Sequence, residues 1–130
     1  MDWVEVFAVF VVCHLAGDFL LQTNWQATHK RAGLGRDPER RAALLWHTSS
    51  YTLAYVPALA WLAGDVGAGG TVALAAGIAL PHMLQDDGRL LSAYVRKVKH
   101  TEPQPGMLML AVDQSFHIVV LFGLAVAAGL

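Results

Sequence analysis

Residues 3–22 read WVEVFAVFVVCHLAGDFLLQ. The stretch is long enough to cross a bilayer as one helix, which takes about 20 mostly apolar residues. Past Glu5 near its start, it holds His14 and Asp18, four residues apart. On insertion scales an Asp at the centre of a membrane helix costs roughly 3 kcal/mol, while a Leu or Val contributes about −0.5. One Asp therefore cancels several apolar residues and reads as a functional candidate.

Three further stretches match the first in length and apolar content, at about 42–63, 71–91 and 107–130. The fold expected is all-α, a polytopic membrane four-helix bundle forming a single transmembrane domain over residues 1–130. No stretch alternates as a barrel strand does, and a closed barrel needs more strands than 130 residues of this pattern supply. Composition agrees: 55% of residues are apolar and 15% are charged, against about 25% charged in soluble domains. Mean hydropathy is +0.45. The lone cysteine, Cys13, allows no intrachain disulfide and reads as a small packing residue. Asp2 and Glu5 stand where a signal peptide would be basic, so no cleaved leader is expected.

The connections set an orientation. All nine Lys and Arg residues fall in the first and third: Lys30, Arg31, Arg36, Arg40 and Arg41, then Arg89, Arg96, Lys97 and Lys99. The positive-inside rule puts these connections in the cytoplasm and both termini outside. Basic residues flanking apolar spans report topology, and no nucleic-acid partner is expected. Asp37-Pro38-Glu39 reads as a cap, first-turn proline and first-turn acid for the second helix. Gly64 to Gly70 reads as a tight turn. Leu90, Leu91, Tyr94, Val95 and Val98 alternate with Arg89, Arg96, Lys97 and Lys99, as in an interfacial amphipathic extension of the third helix or a solvated basic loop.

Within the spans lie His14 and Asp18, then His47 with Tyr51, then His82 and Asp86, then Asp113 and His117. Three helices thus carry a His–Asp pair spaced i, i+4, about 40° apart around the helix and about 6 Å apart along it. With the orientation above, all seven His and Asp residues belong to the cytoplasmic half. A single pair is commonly an interhelical polar contact. Several carboxylates gathered at one depth repel one another, and a divalent cation relieves that repulsion. His14, Asp18, His47, His82, Asp86, Asp113 and His117 are therefore the candidate ligands. Mixed nitrogen and oxygen ligation favours zinc, iron or manganese, as one ion or two sharing ligands.

Gln22, Gln85, Gln114 and Tyr51 lie beside or one turn from these ligands and could orient them, or could be ordinary interhelical hydrogen bonds. Asp18, Asp113 and Tyr51 are the candidates for moving protons. Pro81 should distort the third helix just before His82. Pro57 reads as a kink, and His29 and His100 read as solvated.

The motifs in order are His14-x-x-Gly-Asp-Phe-x-x-Gln22, Trp25 with Lys30, His47-x-x-x-Tyr51, His82-x-x-x-Asp86 and Asp113-Gln-x-x-His117. This pattern resembles a family of small four-span bacterial and phage membrane proteins, known as a domain of unknown function. The resemblance covers nearly the whole chain. It implies a shared fold, a shared polar site and the inner (cytoplasmic) membrane of a bacterium, and it brings no reaction with it.

Three functions fit the residues. A metal-dependent hydrolase acting on a lipid or another amphipathic substrate would use a metal-activated water, with Lys30, Arg31 and Arg89 holding a headgroup phosphate. The same ligands could instead bind iron and activate oxygen. A proton or divalent-metal transporter would need polar residues in both halves, and the outer halves have almost none. A non-catalytic subunit could carry a structural metal, and Ala73, Ala76, Gly77, Gly123 and Ala127 permit close packing or a homodimer. Seven candidate ligands exceed the four of a structural zinc site, which favours chemistry.

Overall fold

The computed structural model describes residues 2–129, which are helical with no strand among them. Helix α1 spans Trp3–Leu15, with the Asp2 carboxylate accepting from Val4 N–H at 2.9 Å. It runs on into a π-helical turn, Ala16–Leu20, closed by Leu21 N–H donating to the Ala16 carbonyl at 2.9 Å. Helix α2, Asn24–His29, is a short helix that the hydropathy pattern does not signal. Its cause is a capping box, in which Thr23 and Gln26 satisfy each other's backbone N–H groups. Helix α3 spans Pro38–Ala54, and Asp37 caps it by accepting from Glu39 and Arg40 N–H at 2.9 and 3.3 Å. Sequence reading anticipated that cap.

Helix α3 stops at Ala54, and Tyr55 leads into α4, Val56–Asp86. The break falls just ahead of Pro57, which has no N–H to continue the ladder. Residues 59 and 75 of a straight helix would lie about 24 Å apart. Leu59 and Ala75 instead line one groove of about 540 Å³, and Leu59 and Leu74 share one core cluster. The chain doubles back at Gly67, whose φ of 68° is open to glycine. The turn expected over Gly64 to Gly70 is therefore confined to one residue, with helix on both sides. Helix α4 also runs unbroken through Pro81.

Helix α5, Arg89–Val98, is not an extension of the preceding helix. Gly88, at φ 78°, separates the two and lets α5 turn aside. Helix α6 spans Met107–Ala128. Four rods result: α1 with its π turn, α3 with the first arm of α4, the second arm of α4, and α6. Each antiparallel pairing is fixed by contacts. Trp3 meets Phe122 and the backbone around Gly129, His14 meets Tyr51 and His117, and His82 meets His47 and His117. The described ends of the chain therefore lie at one end of the bundle, with α2 and α5 at the other.

Three helical segments, against the four expected, are long and apolar enough to cross a membrane: Trp3–Leu20, Val56–Asp86, which includes the reversal at Gly67, and Met107–Ala128. The span expected at 42–63 is instead divided at Tyr55 between the more polar α3 and the first arm of α4. The bundle exterior is apolar as well. Val12, Leu53, Val72 and Val119, one from each rod, are 66–70% exposed. Phe10, Tyr55, Leu62, Ile78 and Leu121 fill the core in the half bearing the termini.

Two glycines allow close approach with different consequences. A Cβ at Gly17 would lie 2.6 Å from the Tyr51 ring and 3.3 Å from its Cα. That ring is itself fixed, stacked on His82 with centroids 3.4 Å apart. A Cβ at Gly77 would meet only the tip of Leu124, at 2.7 Å. Gly17→Ala should destabilise the bundle by about 1–3 kcal/mol, the usual cost of overpacking. Gly77→Ala should cost under about 1 kcal/mol, since its neighbour can rotate away. Thermal unfolding in detergent checks the order, and equal losses would contradict it.

Candidate metal centre

Four buried side chains from three rods meet in the half of the bundle nearest α2 and α5. The π turn of α1 delivers Asp18, α3 delivers His47, and the last turn of α4 delivers His82 and Asp86. His47 Nε2 lies 2.8 Å from Asp86 Oδ2, 3.0 Å from His82 Nε2 and 3.2 Å from Asp18 Oδ1. His82 Nε2 lies 3.0 Å from Asp86 Oδ2 and 3.5 Å from Asp18 Oδ1. A tetrahedron of donors about 2.0–2.1 Å from a zinc-sized ion has edges of about 3.3–3.4 Å. The five separations run from 2.8 to 3.5 Å, on either side of that value.

A second group shares one member with the first. Asp86, Asp113 and His117 can each offer a donor atom, all within 4.8 Å of one another. His117 Nδ1 donates to the Asp113 backbone carbonyl at 2.8 Å, which leaves Nε2 as the bare acceptor. That nitrogen has no hydrogen-bond partner and lies 3.8 Å from Asp86 Oδ1. A histidine that donates one N–H to a carbonyl and presents the other nitrogen is in the usual state of a metal ligand. His47 and His82 differ: their Nδ1 atoms are buried without a partner. The first group thus rests on its donor geometry and the second on ligand orientation.

His14 belongs to neither group. Both its nitrogens are engaged, Nδ1 with Tyr51 Oη at 3.0 Å and Nε2 with Gln114 Oε1 at 2.9 Å. The bonds around it form a directed chain. The Gln114 amide donates to Asp18 Oδ2 at 3.3 Å and to Asp113 Oδ2 at 3.4 Å, so its oxygen must accept from His14 Nε2–H. His14 Nδ1 then accepts from Tyr51, whose hydroxyl accepts from Tyr55 at 2.8 Å. Gln114 thereby ties together one carboxylate from each group. The Tyr51 hydroxyl is turned to His14 and Tyr55, while its ring stacks on the donor His82. Gln22 bonds the Asp18 backbone carbonyl at 3.0 Å, and Gln85 bonds that of Phe116 at 3.4 Å.

The basic residues separate. Lys30 Nζ donates to Asp86 Oδ2 at 2.8 Å, inside the site. Arg31 and Arg89 instead line a cleft of about 300 Å³ with Ser92 and Arg96. Asp87 is also buried. It anchors the first connection by accepting from Leu34 N–H through its carboxylate and from Ala32 N–H through its carbonyl, both at 2.8 Å. Sequence reading gave Asp87 and Tyr55 no role. Their signal, a polar group adjoining a candidate ligand or one turn from Tyr51, does not tell a brace from a solvated side chain. His29 and His100 lie outside both groups.

These features define a class: a helical protein with helices suited to a membrane and a buried His/Asp cluster able to hold metal. Residues 6–129 match the family described as Protein of unknown function (DUF3307), and the chain belongs to that family. Searches of curated proteins and of solved structures returned no match.

The placement of His14 outside both groups makes a sharp prediction. His14→Ala should keep the number of zinc ions bound and weaken their affinity by about 10- to 100-fold, as loss of a ligand's supporting partner does. His47→Ala should abolish binding at the four-donor group. Zinc titration of the purified protein compares the two, and loss of a whole equivalent in His14→Ala would contradict this placement.

Proposed function

We propose that this protein is an integral membrane metalloenzyme with a two-ion His/Asp centre, hydrolysing a lipid or another amphipathic substrate. The observation that carries the reading is the position of Asp86, common to both donor groups. A carboxylate shared by two ligand sets is what a bridged pair of ions needs. Asp18, His47, His82 and Asp86 make a closed four-donor group. Asp86, Asp113 and His117 make a three-donor group, one ligand short of a closed set, as a catalytic zinc site is and a structural one is not. Asp113 is the most exposed of these side chains at 19%, so the open group is also the accessible one.

Held this way, zinc, manganese or iron would supply Lewis-acid polarisation and an activated water. The chain's residues do the rest. Asp113, tied to Gln114 and partly exposed, can take and return a proton at the open group. Asp18 is the counterpart in the closed group, and the Tyr51–His14–Gln114 chain holds its Oδ2 in place. Lys30 occupies Asp86 through an ammonium–carboxylate pair. Lys30 would compete with a bound cation for Asp86 Oδ2, and its ammonium, held at the centre, is suited to an anionic substrate. Arg31 and Arg89 offer a second anionic contact on the same side.

Four spans with both termini outside fit the exposed apolar side chains on every rod and the confinement of Lys and Arg to the α2 and α5 end. On this reading the centre lies in the cytoplasmic half of a bacterial inner membrane. Among the described residues the core of the other half is apolar beyond Tyr55, which favours chemistry over transport. Gly77 packs on Leu124 within the chain, while Gly123 faces open space, where a second copy could pack.

Elemental analysis after chelator-free purification tests the centre. Wild type should carry about two divalent ions per chain, Asp113→Asn about one, and Asp86→Asn fewer than one. Protein without stoichiometric metal would overturn the reading. Lys30→Ala should bind zinc about tenfold more tightly, because the competing ammonium is gone. Calorimetric titration measures this, and weaker binding would contradict the competition. Hydrolysis is tested on phosphatidylglycerol and phosphatidylcholine. Metal-dependent release of headgroup or acyl chain should fall by about 100-fold or more in Asp113→Asn.

A further inference from the structure

Helices α5 and α6 enclose a groove of about 400 Å³ that takes no part in the metal centre. Leu108, Ala111, Ser115 and Val119 line it at spacings of three or four residues, one face of α6. The eleven helical steps from Leu108 to Val119 span about 16 Å, roughly half the 30 Å hydrocarbon core and so about one leaflet. Tyr94 lines the opposite side, packed edge-on against Phe116 with ring centroids 5.0 Å apart. The one charged side chain lining the groove is Lys99, just past the end of α5.

Charge and depth both indicate the occupant. Lys99 has no acidic partner within 4.0 Å among the described residues, and the nearby Glu102 is engaged by Arg96 at 3.1 Å. Lys97 adds exposed positive charge within one turn. Helix α5 buries Leu91 and Val95 against Met109 and Val112, yet leaves Leu90 64% and Val98 52% exposed. A helix with exposed apolar residues beside basic ones lies in the membrane interface, where each Lys or Arg attracts anionic lipid by about 1 kcal/mol. Lys99 therefore stands at headgroup depth, and the apolar wall of α6 runs from there into the leaflet.

We propose that this groove is a binding site for one anionic phospholipid, with an acyl chain along Leu108 to Val119 and the headgroup phosphate on Lys99. The site rests on the membrane reading given above and is independent of the metal centre.

The test uses full-length protein reconstituted with equimolar dioleoyl phosphatidylglycerol and dioleoyl phosphatidylcholine, then washed in detergent and weighed by native mass spectrometry. Wild type should retain about one lipid, with phosphatidylglycerol enriched about tenfold. Lys99→Glu should lose that preference and Lys99→Arg should keep it. Ser115→Trp, which fills the groove from an exposed position, should lose the retained lipid at unchanged thermal stability. Equal retention of the two lipids by wild type, or retention unaffected by Ser115→Trp, would overturn the site. Failure to reconstitute at all would instead overturn the membrane reading.

Discussion

Asp86 is a carboxylate buried in a bundle whose interior is otherwise mainly hydrocarbon, 2% of its side chain reaching the surface. A charge in that position requires compensation, because an isolated ion in a low-dielectric interior costs several kcal/mol even after relaxation. The rest of the centre answers that requirement. His47 and His82 approach one oxygen, Lys30 the same oxygen, and His117 faces the other. Each comes from a different part of the chain: α3, α4 itself, the segment after α2, and α6. One buried carboxylate thus holds the connecting segment and two neighbouring rods to the end of α4.

The same requirement explains why the first connection is ordered. Asp87, the next residue, fixes Ala32 and Leu34 through backbone hydrogen bonds, while Lys30 reaches past it to Asp86. The two acids of one dipeptide therefore do different work. Asp87 binds backbone and sets the loop, and Asp86 gathers cations and imidazoles. On the proposed reading, a divalent ion in place of the Lys30 ammonium would keep the charge of the core compensated.

Much of this was legible in the sequence. Apolar run lengths give the first and last rods but miss the break at Tyr55 inside the 42–63 run. Asp37-Pro38-Glu39 gives the start of α3, and the i, i+4 spacing of His82 with Asp86 and Asp113 with His117 puts each pair on one face. What was not legible depends on contacts between distant residues or on local hydrogen bonding that hydropathy does not record. The capping box that makes α2 is polar, so it leaves no apolar signature. The separation of α5 turns on the positive φ of Gly88, one glycine among twelve. The π turn at Ala16–Leu20 redirects Asp18 toward His47 and His82, while His14, four residues earlier, faces Tyr51 and Gln114. Spacing alone makes those two residues equivalent. Lys30 reads as a solvated topology marker until the fold brings it to Asp86, 56 residues away.

Asp86 as the bridge between two metal positions is tested most directly by X-ray absorption spectroscopy on the zinc- or manganese-loaded protein. A bridged pair predicts a first shell of nitrogen and oxygen and a metal–metal vector at about 3.5–4 Å, the separation of two-ion sites. A first shell with no metal neighbour, or one containing sulfur from Cys13, would contradict it.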